Sequence, residues 1–309
     1  MVTLTDITAM RLWAHDGLLR KLGQPVTCAD WTVSSARELW ETDLGQLGEL
    51  ATKENPIHVL VDAPEHRIQS DRVVCHVWSG RLPAGSLYQL APGVLVTSPA
   101  FCCLLAAARQ SVPRVVALEM ECLGLYGRVP IPRGFLDRSQ LMSPDELRGY
   151  LLDAQGCPGS RKALDALEWA CERSRSPLET KTTIILVLPR RLGGYGLPLP
   201  TLNCRIWPSA EELPLSQFAF YEVDISWMER RTVVECDSYA NHVSPQQLNH
   251  DAMKRNSLKA LGWKVSSVTE GQLSGDALDV LARQLGRDLG IEVRMPPPER
   301  RDWLLGQIL

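Results

Sequence analysis

The stretch VDISWMERRTVVECDSYANH, from Val223 to His242, decides how the C-terminal half of this chain is read. It sets Asp224, Glu235 and Asp237 into segments whose Val, Ile, Thr and Trp otherwise read as buried β-strand. Suppose Phe218–Trp227 and Thr232–Cys236 form an antiparallel hairpin turning through MERR. That register places Asp224 opposite Glu235 and Glu222 opposite Asp237, and strict alternation puts all four carboxylates on one face. Val223, Ile225, Trp227, Thr232, Val234 and Cys236 then form the core side. Directly opposed side chains have Cβ atoms about 4.5–5.5 Å apart, and like charges there are unfavourable. Such a face calls for a cation, and magnesium or manganese suits an all-oxygen set. Two other outcomes stay open. The acids can be a solvated sheet face paired with Arg and Lys, and a three- or five-residue loop would move Asp224 to the face away from Glu235.

Outward from the hairpin, helix, antiparallel strands, helix and strand make an α/β arrangement. Ser160–Arg173 carries Leu164, Leu167 and Cys171 at helical spacing. In SPLETKTTIILVL, Ser176, Pro177 and Glu179 give an S-x-x-E capping box with proline at N1, while Thr182 to Ile185 leave helix against strand undecided. Asn203–Trp207 reads as a further strand, Ser244-Pro245 opens a helix that Gly262 closes, and Trp263–Thr269 is strand again. Ala277–Leu289 reads as a late helix, and the tail MPPPERRDWLLGQIL as a short docking helix. Upstream, IHVLV (Ile57–Val61) and VVCHVW (Val73–Trp78) are β-rich, and a strand from Gly93 leads to a helix opening at Pro99 behind Ser98. Gly127–Pro144 is rich in Pro and Gly and reads as a connector. The expected division is therefore residues 1–150 and 151–309.

The chain has 309 residues, is 45% hydrophobic and 22% charged, and carries a net charge of −3, which suits two globular domains rather than a protein that coats nucleic acid. Between Ser160 and Val265 there are 14 Lys and Arg against 12 Asp and Glu, so DNA contact would be local and salt-dependent. The nine cysteines include no C-x-x-C pair and read as reduced, buried thiols of a cytoplasmic protein. The N-terminal residues do not read as a signal peptide, and the longest apolar runs are too short to span a membrane. His58, His66 and His76 stand at spacings that define no ligand set.

The pattern V-D-x-x-W-x(7)-E-x-D, a following histidine, and D-x-x-K-R-x-x-L-x-x-L-G-W-x-V resembles the very-short-patch-repair-like endonuclease domain of the PD-(D/E)XK superfamily. The matching stretch runs from Ser176 to about Thr269. ITAMRLW and GVLVTSPAFCCLLAAA resemble, more weakly, the middle domain of AbiEi-antitoxin-like proteins, beginning near Thr5 without a preceding winged helix. The resemblance implies a restriction-endonuclease-like mixed sheet flanked by helices behind an N-terminal mixed α/β domain. It implies a cytoplasmic, Mg²⁺- or Mn²⁺-dependent DNA endonuclease with Asp224, Glu235 and Asp237 at the metal. Glu179 would be the acid of the first helix, and Lys254 the cation for the phosphate. His242, Arg255 and Lys259 become candidate DNA contacts. Ser238 stands where this branch has glycine, and no lysine fills the E-x-K position. The same resemblance allows a non-catalytic, DNA-binding antitoxin-like regulator that keeps the fold, with a protein partner at the N-terminal domain or the tail. Bland readings also hold: Glu179 as a cap, His242 as a surface residue, and Lys254, Arg255 and Lys259 as a solvated helix face.

Overall fold

The computed structural model describes residues 1–27, 31, 39, 51–132, 134–237 and 245–308. They form two compact units, Met1–Glu168 and Trp169–Leu309, each mixed α/β. No helix among the described residues is long and apolar enough to cross a membrane.

In the first unit, β1 (Val2–Leu4) leads into α1 (Asp6–Trp13) and the short α2 (Leu18–Leu22). β2 (Ile57–Val61), β3 (Val73–Val77), β4 (Leu87–Ala91) and β5 (Val94–Thr97) complete a sheet of order β3-β2-β1-β5-β4. The pairs β2–β3 and β1–β5 are parallel; β1–β2 and β4–β5 are antiparallel. α3 (Pro99–Arg109) starts as the sequence predicts, with Ser98 Oγ accepting from the Phe101 amide and proline in the first turn. α4 (Val112–Cys122) packs on α3.

The Pro/Gly-rich stretch expected to be a connector instead holds a small antiparallel pair, β6 (Tyr126–Arg128) and β7 (Phe135–Asp137). Arg138 pins it by donating to the carbonyls of Glu121, Gly124 and Ser139. α5 (Pro144–Asp153), opened by a Ser143–Glu146 capping box, and α6 (Ser160–Leu167) then pack on α3 and α4. At the α6 start a Cβ on Gly159 would sit 2.5 Å from the Ala108 amide nitrogen, so only glycine permits this approach. The division between units therefore falls after Glu168, later than residue 150, because apolar faces of α5 and α6 are spent on the first unit's helices.

The second unit runs α7 (Pro177–Val187), β8 (Thr201–Ile206), β9 (Tyr221–Trp227), β10 (Thr232–Asp237), α8 (Pro245–Ala260), β11 (Lys264–Thr269), α9 (Gly275–Leu289) and α10 (Pro298–Ile308). The ambiguous TTIILV run is helix: a capped start outweighs the β-branched residues once every side chain from Thr182 to Val187 is buried. The sheet order is β11-β10-β9-β8, antiparallel except for the parallel β10–β11 edge. Gly262, at φ 79°, ends α8, where the Trp263 amide donates back to Leu258. The tail docks as expected, burying Leu304, Leu305 and Ile308; a Cβ on Gly193 would lie 2.3 Å from the Arg300 carbonyl oxygen beneath it.

The hairpin register is the predicted one at Trp227–Thr232, Ser226–Val233 and Ile225–Val234. Its extension is not. The β9–β10 ladder ends at Ile225–Val234, and the Cys236 amide donates to the Asp224 carboxylate instead of to a backbone carbonyl. On the other side, β8 pairs Leu202 with Ile225 and Cys204 with Val223, while Asn203 between them takes φ 47°. Strict alternation would put Val223 and Val233 on opposite faces, yet both join Leu258, Leu261 and Trp263 in one core cluster. The four acids therefore do not form one evenly spaced face, because the strands separate at Asp224. Of the residues expected on the core side, Val223, Ile225, Trp227, Thr232 and Val234 are buried, and Cys236 is only partly so. The cysteines likewise split: Cys102, Cys103, Cys122 and Cys171 are buried, but Cys75, Cys157, Cys204 and Cys236 are partly exposed.

Candidate functional site

Asp224 lies where β9 and β10 part, and its Oδ2 accepts from the Cys236 amide at 2.7 Å. The sequence leaves a backbone donor without a ladder partner there, and the carboxylate takes it. Burial pushes the Asp224 carboxyl upward, against the pull of that amide and of Lys254. Glu235, 8% exposed, receives Lys254 Nζ on Oε2 at 2.7 Å, while its Oε1 is buried without a hydrogen-bond partner. Burial first, and the negative charge of Asp224 second, raise its affinity for a proton. An orphaned carboxylate oxygen in a buried acid pair is what a cation or a proton relieves.

Glu179 begins α7 and does both things its spacing allows. Its amide donates to Ser176 Oγ, and its carboxylate receives Ser176 Oγ, the Arg175 amide and Asn203 Nδ2. The cap thus uses the Arg175 amide in place of the Ser176 amide of an ideal capping box. Burial, then the proximity of Asp224, carry its pKa up to about 7. Asn203, the positive-φ residue within β8, therefore links Glu179 to the strand beside Asp224.

The remaining predicted residues are placed less tightly. Asp237 is partly exposed, and its carboxylate stands 3.7 Å from Arg255. Glu222 pairs with Arg175 at 3.2 Å rather than with Asp237. Lys259 is exposed in the last turn of α8. His242 lies outside the described residues. Asp224, Glu235 and Asp237 do not bring three donor atoms within 4.8 Å of one another.

Beside these acids a cavity of about 460 Å³ is lined by Phe218, Phe220, Glu222, His250 and Lys254. The Arg205 guanidinium sits 4.5 Å from the Phe220 ring centre, and Trp207, 64% exposed, packs against the same ring, tilted by 41° with ring centres 5.0 Å apart. The aromatic spacing was visible in IWPSAEELPLSQFAF, but only the fold brings Trp207 and Phe220 together.

A second constellation was missed. Leu60 pairs with His76 and His58 with Val74, which puts both histidines on one face of β2–β3. Asp6, the first residue of α1, reaches them just beyond the end of β1. His58 Nδ1 and His76 Nε2 are 2.9 Å apart; Asp6 Oδ2 is 3.2 Å from the latter and 3.8 Å from the former. These three residues form a group able to hold a metal ion, and among the described residues no other such group of three exists. Burial lowers the pKa of His76 to about 4, so its ring is neutral. For Asp6 burial pulls upward, but His58, His76 and Arg109 outweigh it and keep the carboxylate ionised. The signal in the sequence was one histidine inside each of two apolar β-runs; what it lacked was their pairing.

No protein-family model matches this chain, and no curated protein or solved structure matches it.

Proposed function

We propose that the second unit is a divalent-metal-dependent nuclease domain of the PD-(D/E)XK kind, hydrolysing phosphodiester bonds in DNA. The observation that carries this reading is the parting of β9 and β10 at Asp224, with the unpartnered Glu235 Oε1 and Lys254 beside it. The order α7, three antiparallel strands, α8 and a parallel fourth strand supports it. Asp224 and Glu235 fit a hard cation such as Mg²⁺ or Mn²⁺, since the donors are oxygens and one is left over; Asp237 is near enough to join with a side-chain movement. When bound, such an ion supplies charge neutralisation at the phosphate and a more acidic water.

The chain's own residues do the rest. Lys254 keeps a positive charge next to the acids in place of the missing E-x-K lysine. Glu179, protonating near neutrality, can accept a proton from a water at that pH. Arg255 and Lys259 lie on the same helix and suit phosphate contacts. Phe220, Trp207 and Arg205 offer flat and cationic surfaces on which an unpaired base can stack.

One observation favours the non-catalytic DNA-binding regulator: Lys254 already neutralises Glu235, and three acid donors do not converge. Incubating purified protein with supercoiled plasmid and with single-stranded DNA, with Mg²⁺, Mn²⁺ or chelator, decides between them. Metal-dependent cutting that disappears in Glu235→Gln supports the nuclease. A DNA mobility shift with no cutting in any metal supports the regulator.

A further inference from the structure

We infer that Asp6, His58 and His76 form a binding site for a borderline transition-metal dication of the zinc class, separate from the acid cluster of the second unit. Two imidazole nitrogens and one carboxylate oxygen are a donor set for zinc, and for ferrous or nickel ions, rather than for magnesium. The donor separations of 2.9, 3.2 and 3.8 Å bracket the edge of about 3.3–3.4 Å expected for a tetrahedron with bonds of about 2.0–2.1 Å. The three atoms therefore need only tenths of an ångström of adjustment to share one ion. Each donor comes from a different element, β2, β3 and the first residue of α1, which fixes the constellation by the sheet itself.

A second observation concerns Asp6. It adopts φ 49°, a left-handed conformation uncommon for a residue other than glycine, as the first residue of its helix. That conformation turns the carboxylate to the histidines. Asp6 also lines a cavity of about 290 Å³ with Met10, Arg11 and Glu121. Three protein donors leave a coordination position for water or a small ligand, as in open rather than closed zinc sites.

Arg109 sets the affinity. Its Nη1 lies 3.0 Å from His76 Nδ1 and its Nη2 donates to the Val77 carbonyl at 2.6 Å. Since arginine only donates, His76 Nδ1 accepts and the ring proton resides on Nε2. Metal ligation through Nε2 shifts that proton to Nδ1, where it faces the Arg109 N–H. Arg109 must then swing aside, holding on through Val77. The metal-free network and the loaded site are thus alternative states of the same four side chains, and Arg109 opposes loading by its charge and its hydrogen bond.

The test uses the full chain, stripped with chelator and titrated with Zn²⁺ and, for spectroscopy, with Co²⁺. The expected result is one equivalent bound in preference to Mg²⁺, with a Co²⁺ spectrum free of thiolate charge-transfer bands. Affinity falls at least tenfold in Asp6→Asn and in His76→Gln and stays unchanged in Glu235→Gln. Arg109→Met, which leaves all three donors in place, tightens binding by roughly threefold or more. Circular dichroism confirms that each variant is folded. Absence of a bound equivalent in both wild type and Arg109→Met overturns the assignment. So does an equivalent that folded Asp6→Asn retains in full, or one that shows thiolate bands. Because DNA cutting is not read, failure here leaves the nuclease proposal standing, and the reverse.

Discussion

The acids of β9 and β10 and the histidines of β2 and β3 are gathered by opposite kinds of strand pairing. The acids belong to one antiparallel hairpin, so four loop residues set their proximity. The histidines sit on parallel neighbours whose connection runs through Pro64–His66 and the turn before Val73, and Asp6 is contributed from over fifty residues upstream. The donors differ accordingly. The hairpin offers oxygens with a lysine counter-ion already in place, and the β2–β3 face offers nitrogens that point at one another with an arginine alongside. Hard and borderline cations should therefore sort between the two units.

The largest effect that could break this contrast is on cleavage. Glu235→Gln and Asp224→Asn should each abolish metal-dependent nicking of plasmid in a gel assay, while His76→Gln should leave it intact. Loss of nicking in His76→Gln as well would mean that the two centres are not independent. Next in size is packing. Leu258 is fully buried in the cluster with Val223 and Val233, so Leu258→Ala should cost about 2–5 kcal/mol by denaturant unfolding. Its effect should fall on the second unit and leave zinc titration of the first unit unchanged.

The pH dependence sharpens the electrostatic half of the comparison. Folded Glu179 holds its proton up to about 7, whereas an ordinary glutamate releases it near 4.5. Between those values the native state binds the extra proton, so stability is full below the lower value and falls as pH rises through the upper one. Metal-free protein should lose about 2–3 kcal/mol from this group between pH 5 and 8, and Glu179→Gln should flatten that slope in chemical denaturation at the two pH values. Added Mg²⁺ should reverse part of the loss. The smallest effect belongs to Asp237. Partly exposed and 3.7 Å from Arg255, it should change stability by less than about 1 kcal/mol when replaced by Asn. A larger change, seen in the same denaturation experiment, would place it inside the acid cluster after all.

How much was legible follows from these particulars. Ser98, Ser176 and Gly262 announced helix ends because capping is a local event between residues three or four apart. The MERR loop set the first three ladder pairs for the same reason. The break at Asp224 was not legible, since alternation along the strands does not show that the Asp224 carboxylate takes the Cys236 amide. Nor was the Gly127–Pro144 hairpin, where the buried Arg138 supplies order that proline and glycine do not.

The sequence by itself determined the α/β alternation, the helix caps and the hairpin loop. Short-range geometry is enough for those. Tertiary structure alone decided that β2 lies parallel to β3, that Asp6 meets His58 and His76, and that Lys254 reaches Glu235 from the next helix. Those contacts depend on how buried surfaces from distant segments fit together, and no local spacing encodes that fit.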